Sequence, residues 1–567
     1  MRLHELNIKN FRGLKDCTLR LADNSPVACL IGPGDAGKST ILTAIEWVFW
    51  PRYSLSVGDV DFYECDTSEP IIIDATFSGY PNELIKESKY ALYQRCIPDL
   101  ADGFNEDDDP KTGEPTTLTI RLEIDETLEP LWSIVKNSKE PKRISAADRV
   151  RIPVCVIDNH RITDMLWGRY SLLQRFASSK EAVKATSISA SRELSKMQLS
   201  DLDKVTKPVA DAIAPFGVTM SQDDLANRFI MNGASMPTQV GLFEGNAPLH
   251  YLGEGSRRLF SAGLAFNMAS SGALILIDEI ESGLEPHRLC NLISLLRGDS
   301  DKLPNATQAI FTTHSPITLQ EMNHYELYAV TRQTNGQVGV FRLAHADADI
   351  NDELQGQLRF APSTFLARRI YVCEGKTELG MMKALDEHRR HTSGIGLTAE
   401  SVALSDAGGS DRMFKYAKHL KEAGYQPCIF MDSDVAEHQQ HKDDARNDGV
   451  DIFEWDAGNM TELQVFLDVT DECVKKLIEL AAELKGEQSI RDQIRNAGMG
   501  YDNLLAMGVI PEESRKALGT LAHKKSWFKQ VEYGKQLCQT ILACGDLENS
   551  EKRLYKTLRE LINWAVV

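Results

Sequence analysis

The sequence predicts an α/β protein built as two successive strand–helix arrays, each organised on a parallel sheet, with a helical tail behind the second. Three observations carry this reading. A short apolar run, PVACLIG (26–32), passes through a glycine-rich turn into the helix-compatible stretch ILTAIEWVF. Later strand-like runs end near positions 374, 405 and 432, and intervals of about 30 residues are what consecutive βα units need. From 475 to 567 the pattern is mostly helical and closes on LYKTLRELINWAVV, where Leu554, Leu558, Leu561 and Ile562 share one packing face.

Composition agrees with a globular chain. Of 567 residues, 42% are apolar and 26% charged, and at about 100–200 residues per domain that length suggests roughly three domains. Lys and Arg number 63 against 82 Asp and Glu, a net charge of −19. Such a chain is no general polyanion binder, so any nucleic-acid contact must come from a local basic surface. The opening MRLHELNIKNFRGL has no apolar core, which argues against a secretory signal. No apolar run approaches the ~18 residues of a membrane span, so no membrane contact is expected. The 11 cysteines are scattered with no CxxC pair, which points to a reducing cytoplasm and away from a disulfide framework or zinc ribbon.

Element by element, LHELNI, PVACLIG and IIIDATF alternate as strands through residues 1–80. The stretch ADGFNEDDDPKTGEPT (100–115) reads as a surface loop, its Glu106–Asp109 run as a solvated tip. RVRIPVCVID (149–158) reads as a buried strand, residues 165–230 as helical, and residues 345–368 as a connection. Four segments follow: 1–164, a helical insert at 165–235 that serves dimerisation, 236–360, and 365–567.

The first chemical constellation begins at CLIGPGDAGKST (29–40). A strand, Gly32-x4-Gly37-Lys38-Ser39 and a helix match the phosphate-binding P-loop in sequence and context. Gly32, Gly34 and Gly37 let backbone N–H groups face phosphates. Lys38 reaches the terminal phosphates, and Ser39, followed by Thr40, holds Mg²⁺ at the positive end of a helix. ALILIDEIESGLEP (273–286) supplies a buried strand ending in Asp278 and Glu279. Asp278 suits orientation of the Mg²⁺, and Glu279 suits polarisation of an attacking water. AIFTTHSP (309–316) ends in His314, placed to sense a terminal phosphate, and YLGEGSRRLFSAGLA (251–265) sets a Gly/Ser turn before a helix.

The order of these motifs resembles the ABC-type ATPases of the SMC and RecF kind, and LNIKNFRGL is similar to their first strand. The resemblance implies ATP as ligand and a signature turn, here Gly253-Glu254-Gly255-Ser256, that closes on ATP held by a second subunit. Gly255 and Ser256 then join the nucleotide site. Glu254 stands where that family usually has Gly.

The second constellation is acidic. RRIYVCEGKTE (368–378) is a strand ending in Glu374, with Glu378 one helical turn on. ESVALSDAGG ends near Asp406, and QPCIFMDSD ends in Asp432-Ser433-Asp434. Right-handed crossovers bring such ends to one edge of a parallel sheet. Carboxylates crowded there repel by roughly 4 kcal/mol per pair at ~4 Å and an effective dielectric near 20. A cation between them relieves this, and an all-oxygen set favours Mg²⁺ or Mn²⁺ over zinc. Two such ions can activate water and stabilise the leaving oxygen of a phosphodiester.

The strand–EGKTE…DSD pattern resembles the Toprim domain of topoisomerases, primases and OLD-family (overcoming lysogenization defect) nucleases. A Toprim domain behind an ABC-type ATPase is the OLD arrangement, of which the Gabija A subunit is one example. The resemblance covers nearly the whole chain and implies an ATP-binding, metal-dependent DNA endonuclease or nickase that dimerises or forms a larger homo-oligomer. It also implies anti-phage defence and a helicase-like or other partner. By position, Glu374, Glu378, Asp432 and Asp434 are implied metal ligands. DAGNMTEL (456–463) adds Glu462, and KKSWFKQVEYGK (524–535) adds a basic residue for the scissile phosphate, Lys529 before Lys525. Lys524, Lys525, Lys529 and Lys535 suit a backbone-binding surface.

His438 and His441 sit in a polar run and are expected to face solvent, and HRRH (388–391) is expected to be a solvated helix end. Three rival functions use the same residues: a DNA-repair ATPase with an inert Toprim domain, a topoisomerase-like strand passer, and an RNA nuclease. The second lacks a separate domain bearing a tyrosine nucleophile.

Overall fold

The computed structural model describes residues 1–23, 25–96, 110, 116–157, 166–167, 171–173, 202, 204–217, 225–230, 239–268, 272–298, 308–333, 335–545 and 547–566. It divides into two units, Met1–Ala344 and His345–Val567. The Glu106–Asp109 run and most of the expected insert lie outside the described residues.

The first unit contains β1 (Arg2–Phe11), β2 (Leu14–Arg20), β3 (Val27–Ile31), β4 (Ile71–Ser78), β5 (Thr117–Ile124), β6 (Pro130–Lys136), β7 (Lys139–Arg143) and β8 (Val154–Ile157). After β9 (Leu166–Trp167), β10 (Leu225–Ile230), β11 (Gln239–Glu244) and β12 (Ala247–Pro248) come β13 (Leu274–Ile277), β14 (Gln308–Thr312), β15 (Leu327–Arg332) and β16 (Gln337–Arg342). One twelve-stranded sheet runs β7-β6-β5-β4-β1-β2-β16-β15-β3-β14-β13-β8 among the described residues. Its β15-β3-β14-β13-β8 part is parallel, and β3, β13 and β14 are buried at every position. That is the signature of strands covered on both faces. The β4–β7 wing is antiparallel and alternates, β4 burying Ile71, Ile73, Ala75 and Phe77.

The second unit is a four-stranded parallel sheet ordered β18 (Val402–Asp406), β17 (Arg369–Cys373), β19 (Gln426–Met431), β20 (Asp451–Glu454). Helices Lys376–Ser393 and Ser410–Glu422 make the crossovers, and helices from Asp471 to Trp564 form the tail. Each unit has its own apolar core. No helix among the described residues is long and apolar enough to cross a membrane.

Four local expectations change. Residues 345–368 include a helix, Ala348–Phe360, because Leu354 and Leu358 bury one stripe and the Asp347 carboxylate caps the Asp349 amide. Of 149–158, Val154–Ile157 is strand, and Ala146–Arg149 before it is a helical turn capped by Ser145. The stretch 165–230 holds the Thr206–Ile213 helix but also β9 and β10, each paired with β11. His438 is buried, its ring 5.7 Å from that of Phe414, while His441 is exposed as expected. A polar sequence neighbourhood did not foretell that aromatic partner.

Candidate functional site

In the first unit, β3 delivers the chain to a turn that only glycine fits. Gly32 has φ 131° and a Cβ there would strike the Val330 carbonyl oxygen; Gly37 has φ 102°, and its Cβ would lie 2.6 Å from Leu14 Cδ2. Lys38 opens the following helix. Its buried ammonium donates to the carbonyls of Gly32 (2.9 Å) and Pro33 (2.7 Å). Burial lowers its pKa to about 8, against the pull of Asp278 and Asp35.

Ser39 Oγ donates to Asp278 Oδ1 (2.9 Å), and Thr312 Oγ donates to the same oxygen (2.5 Å). Thr312 Oγ also accepts the Glu279 amide (2.7 Å), and Glu279 has φ 47°, a conformation uncommon for a non-glycine residue. Glu281 accepts the Thr313 hydroxyl and the His314 amide, both at 2.7 Å. The His314 side chain has its pKa lowered by lost hydration and then by the Lys38 charge. Parallel pairing of β3, β14 and β13 therefore gathers Lys38, Ser39, Asp278, Glu279 and His314.

Gly255 and Ser256 stand at the start of the Glu254–Met268 helix. The Gly255 Cα packs against the Gly283 carbonyl so closely that no Cβ fits, and Arg258 from the same helix donates to the backbone oxygens of Ser282 (3.2 Å) and Asp278. Neither Gly255 nor Ser256 hydrogen-bonds to Lys38 or Ser39 among the described residues. Gly34 and Thr40 lie in the same turn, Gly34 in open space. Thr312, Glu281 and Arg258 are site residues that the sequence reading missed; only the strand-end position of TTH and the acid run DEIE hinted at the first two.

In the second unit, register aligns the strand ends: Cys373 pairs with Asp406 on one side and with Phe430 on the other. The Glu374 amide donates to the Phe430 carbonyl (3.0 Å), and Glu374 Oε2 accepts the Asp432 amide (2.9 Å). Glu378, in the first turn of the Lys376–Ser393 helix, is buried. That helix is held close to the Val531–Cys544 helix, where a Cβ on Gly534 would lie 2.5 Å from the Thr377 carbonyl oxygen.

Thr461 links the acids. Its hydroxyl accepts the Trp455 indole N–H (2.7 Å) and lies 2.7 Å from Glu378 Oε1 and 2.6 Å from Asp432 Oδ1; its amide donates to Asp432 Oδ1 (2.7 Å). One hydroxyl proton serves one acceptor, so the bridge closes most economically with one of the two carboxyls protonated. The electrostatics agree. Burial drives Asp432 up to about 7, opposed by the Thr461 bonds and aided by Glu374 and Glu462. Burial, then Asp432, raises Glu378, and burial raises Glu374 with Asp434 adding to it.

Glu462 is buried; its Oε2 meets His523 Nδ1 at 3.0 Å, and its Oε1 has no hydrogen-bond partner among the described residues. The His523 helix approaches through Gly519, where a Cβ would lie 2.6 Å from Leu463 Cα. Asp434 is exposed, as are Lys524, Lys525 and Lys529. The hydrogen bond to Glu462 raises the His523 pKa, and burial and the nearby Lys529 charge oppose that rise. Lys535 is instead paired with Glu387 (2.5 Å), and at 388–391 Arg389 pairs with Glu400 and Arg390 with Asp386.

The buried acids fit a hard divalent cation: they form no ion pair with lysine or arginine among the described residues, and Glu462 Oε1 is an orphan. Their contacts are pairwise, through the Asp432 amide, Thr461 and His523. Among the described residues the three metal-type ligand atoms mutually within 4.8 Å belong to His345, His419 and Glu422 instead. That trio is a poorer cation site, because His345 Nδ1 accepts the Asp347 amide (2.9 Å) and its Nε2 is thereby left carrying the proton.

The fold and both clusters define a P-loop ATPase unit followed by a parallel-sheet unit with acids on its carboxyl edge. A family model described as "AAA domain, putative AbiEii toxin, Type IV TA system" matches residues 27–320, and "Overcoming lysogenization defect protein-like, TOPRIM domain" matches 365–434. The chain belongs to that AAA-domain family through residues 27–320 and carries an OLD-like TOPRIM domain at 365–434. It is 21% identical to the Old nuclease of Escherichia phage P2 over 481 residues, 78% of this chain and 79% of that protein. It is 25% identical to the OLD nuclease of Thermus scotoductus (strain ATCC 700910 / SA-01) over 447 residues, 72% of this chain and 77% of that one. Similar solved structures include the SmcHead bound to the C-winged helix domain of ScpA (TM-score 0.35, 13% identity, 60% of this chain and 97% of that chain). The SMC head domain from Thermotoga maritima is another (TM-score 0.30, 15% identity, 61% and 100%). Nucleotide and divalent-metal use accompany the two matched domains.

Proposed function

We propose that the chain is an ATP-binding DNA endonuclease or nickase that uses two Mg²⁺ or Mn²⁺ ions, works as a dimer or larger homo-oligomer, and serves anti-phage defence. The OLD-like TOPRIM domain and the similarity to OLD nucleases support a nuclease with an ATPase domain. The observation that carries the metal reading is the set of buried acids at one sheet edge, with Glu462 Oε1 unpartnered among the described residues. Glu374, Glu378, Asp432, Asp434 and Glu462 hold the cations, which when bound supply the positive charge that activates water and steadies a leaving oxygen.

The residues themselves divide the remaining work. Glu374 fixes the Asp432 backbone through its amide, and Thr461 keeps the Glu378 and Asp432 carboxyls in register. His523 orients Glu462 by taking one of its two oxygens. Exposed Asp434 and Lys529 face incoming nucleic acid, Lys529 neutralising phosphate charge with Lys524 and Lys525 along the backbone. In the ATPase unit, Lys38 exchanges its two loop carbonyls for phosphate oxygens, while Ser39 and Asp278 are already paired where a nucleotide-bound cation would sit. Glu279 orients water and His314 reads the terminal phosphate, with Gly255 and Ser256 offered to a partner's nucleotide.

The test is cleavage of supercoiled plasmid with Mg²⁺ or Mn²⁺, with and without ATP. Glu374→Ala or Asp432→Ala is expected to abolish cutting and leave ATP binding intact; normal cutting by either variant overturns the metal assignment. The pairwise acid contacts favour one second reading, a repair ATPase that does not cut. Absence of cleavage at every metal concentration selects it, and cleavage of tRNA in preference to DNA selects an RNA nuclease.

A further inference from the structure

The sequence offers no CxxC pair, and all 11 cysteines are free thiols. Two of them nevertheless meet across the helical tail. Cys473 lies in the first turn of the Asp471–Lys485 helix and is fully buried; Cys544 is the last residue of the Val531–Cys544 helix and is half-buried. Cys473 Sγ stands 4.0 Å from the Thr540 carbonyl oxygen. Thr540 is one helical turn before Cys544, so this contact brings the thiol to the very turn that carries Cys544. Lys476, on the same helix as Cys473, is ion-paired with Glu472 (3.1 Å).

We propose that Cys473 and Cys544 form a reversible disulfide, with Cys544 the thiol attacked first and Cys473 the one that resolves it. Their surroundings assign these roles. Cys544 is the more accessible of the two, so an oxidant in solution reaches it first. Cys473 is in an apolar core that holds its thiol protonated, since burial first and Cys544 second push its pKa up.

The oxidant is a peroxide. The Cys544 thiolate attacks one oxygen of hydrogen peroxide, the O–O bond breaks, and Cys544 sulfenic acid and hydroxide form. The Cys473 sulfur then attacks the Cys544 sulfur. The S–S bond forms, the S–O bond breaks, and hydroxide takes the Cys473 proton and leaves as water. Two thiols and one peroxide give one disulfide and two waters. A thiol such as dithiothreitol reverses the change by exchange.

The bond has a structural consequence. It ties the start of one tail helix to the end of another that, at Gly534, backs the helix bearing Thr377 and Glu378. Oxidation therefore stiffens the support beneath the acids.

The experiment treats the full chain with limiting hydrogen peroxide, alkylates under denaturing conditions, digests, and maps linked peptides by mass spectrometry. The expected result is one dominant peptide pair joining Cys473 to Cys544, lost after dithiothreitol and absent in Cys544→Ser. In Cys473→Ala, Cys544 is expected to persist as sulfenic acid, trapped by dimedone. Hydrogen exchange along 531–544 is expected to slow on oxidation of the native-sequence chain, a readout independent of any variant's folding. Full alkylation of Cys473 after Cys544 has been oxidised overturns the proposal. So does a random distribution of links among the other cysteines.

Discussion

Asp432 concentrates the chemistry of the acidic edge. Unfolded, an aspartate releases its proton near 3.8; here burial holds it to about 7. The folded chain thus binds more protons than the unfolded chain across that window, and its stability falls as pH rises through about 7. Divalent cation removes the penalty by replacing the proton. In EDTA, the midpoint of thermal unfolding is expected to drop between pH 6 and pH 8, and Mn²⁺ is expected to restore it most at the alkaline end. A flat profile across this range in EDTA contradicts the burial argument. Thr461 makes a second prediction at this scale. Thr461→Val keeps the shape but strands two carboxyls, so a loss of about 1–3 kcal/mol in stability is expected from urea titration. Mn²⁺ affinity is expected to fall by roughly 10–100-fold, read by electron paramagnetic resonance.

At the scale of elements, glycines decide how closely helices carrying site residues approach one another. Gly534 lets its helix lie against Thr377, one residue before Glu378, and Gly519 lets the His523 helix lie against Leu463, one residue after Glu462. Gly534→Val is expected to force the Lys376–Ser393 helix outward, costing about 1–3 kcal/mol or more by overpacking. Metal binding should weaken with it, while ATP binding in the other unit stays unchanged; equal loss of both contradicts the separation. Strands and their terminal acids were legible because strand-end chemistry recurs at βα spacing. His523 and Thr461 were not, since nothing in HKK or NMTEL marks which helix face meets which acid. The Ala348–Phe360 helix was hidden for another reason: only Leu354 and Leu358 show its stripe.

For the whole molecule, two separate cores predict two separable activities. Met1–Ala344 buries its large sheet and 345–567 its own tail-packed core, so a fragment spanning 345–567 is expected to fold alone and bind Mn²⁺ without nucleotide. Circular dichroism and calorimetric titration check this, and an unfolded fragment contradicts it. Lys38→Ala is expected to abolish nucleotide binding by the full chain and leave Mn²⁺ binding at Asp432 intact.

The sequence by itself determined the P-loop, the acid-tipped strands and the order of the two units, because each is encoded in contiguous residues whose period and turn chemistry are local. The tertiary structure alone decided that Thr461 bridges Glu378 and Asp432, that His523 takes one oxygen of Glu462, that His438 is buried against Phe414, and that Cys473 reaches the helical turn carrying Cys544. Those contacts join residues distant along the chain. Their geometry comes from helix packing over glycines and core side chains, which linear spacing does not specify.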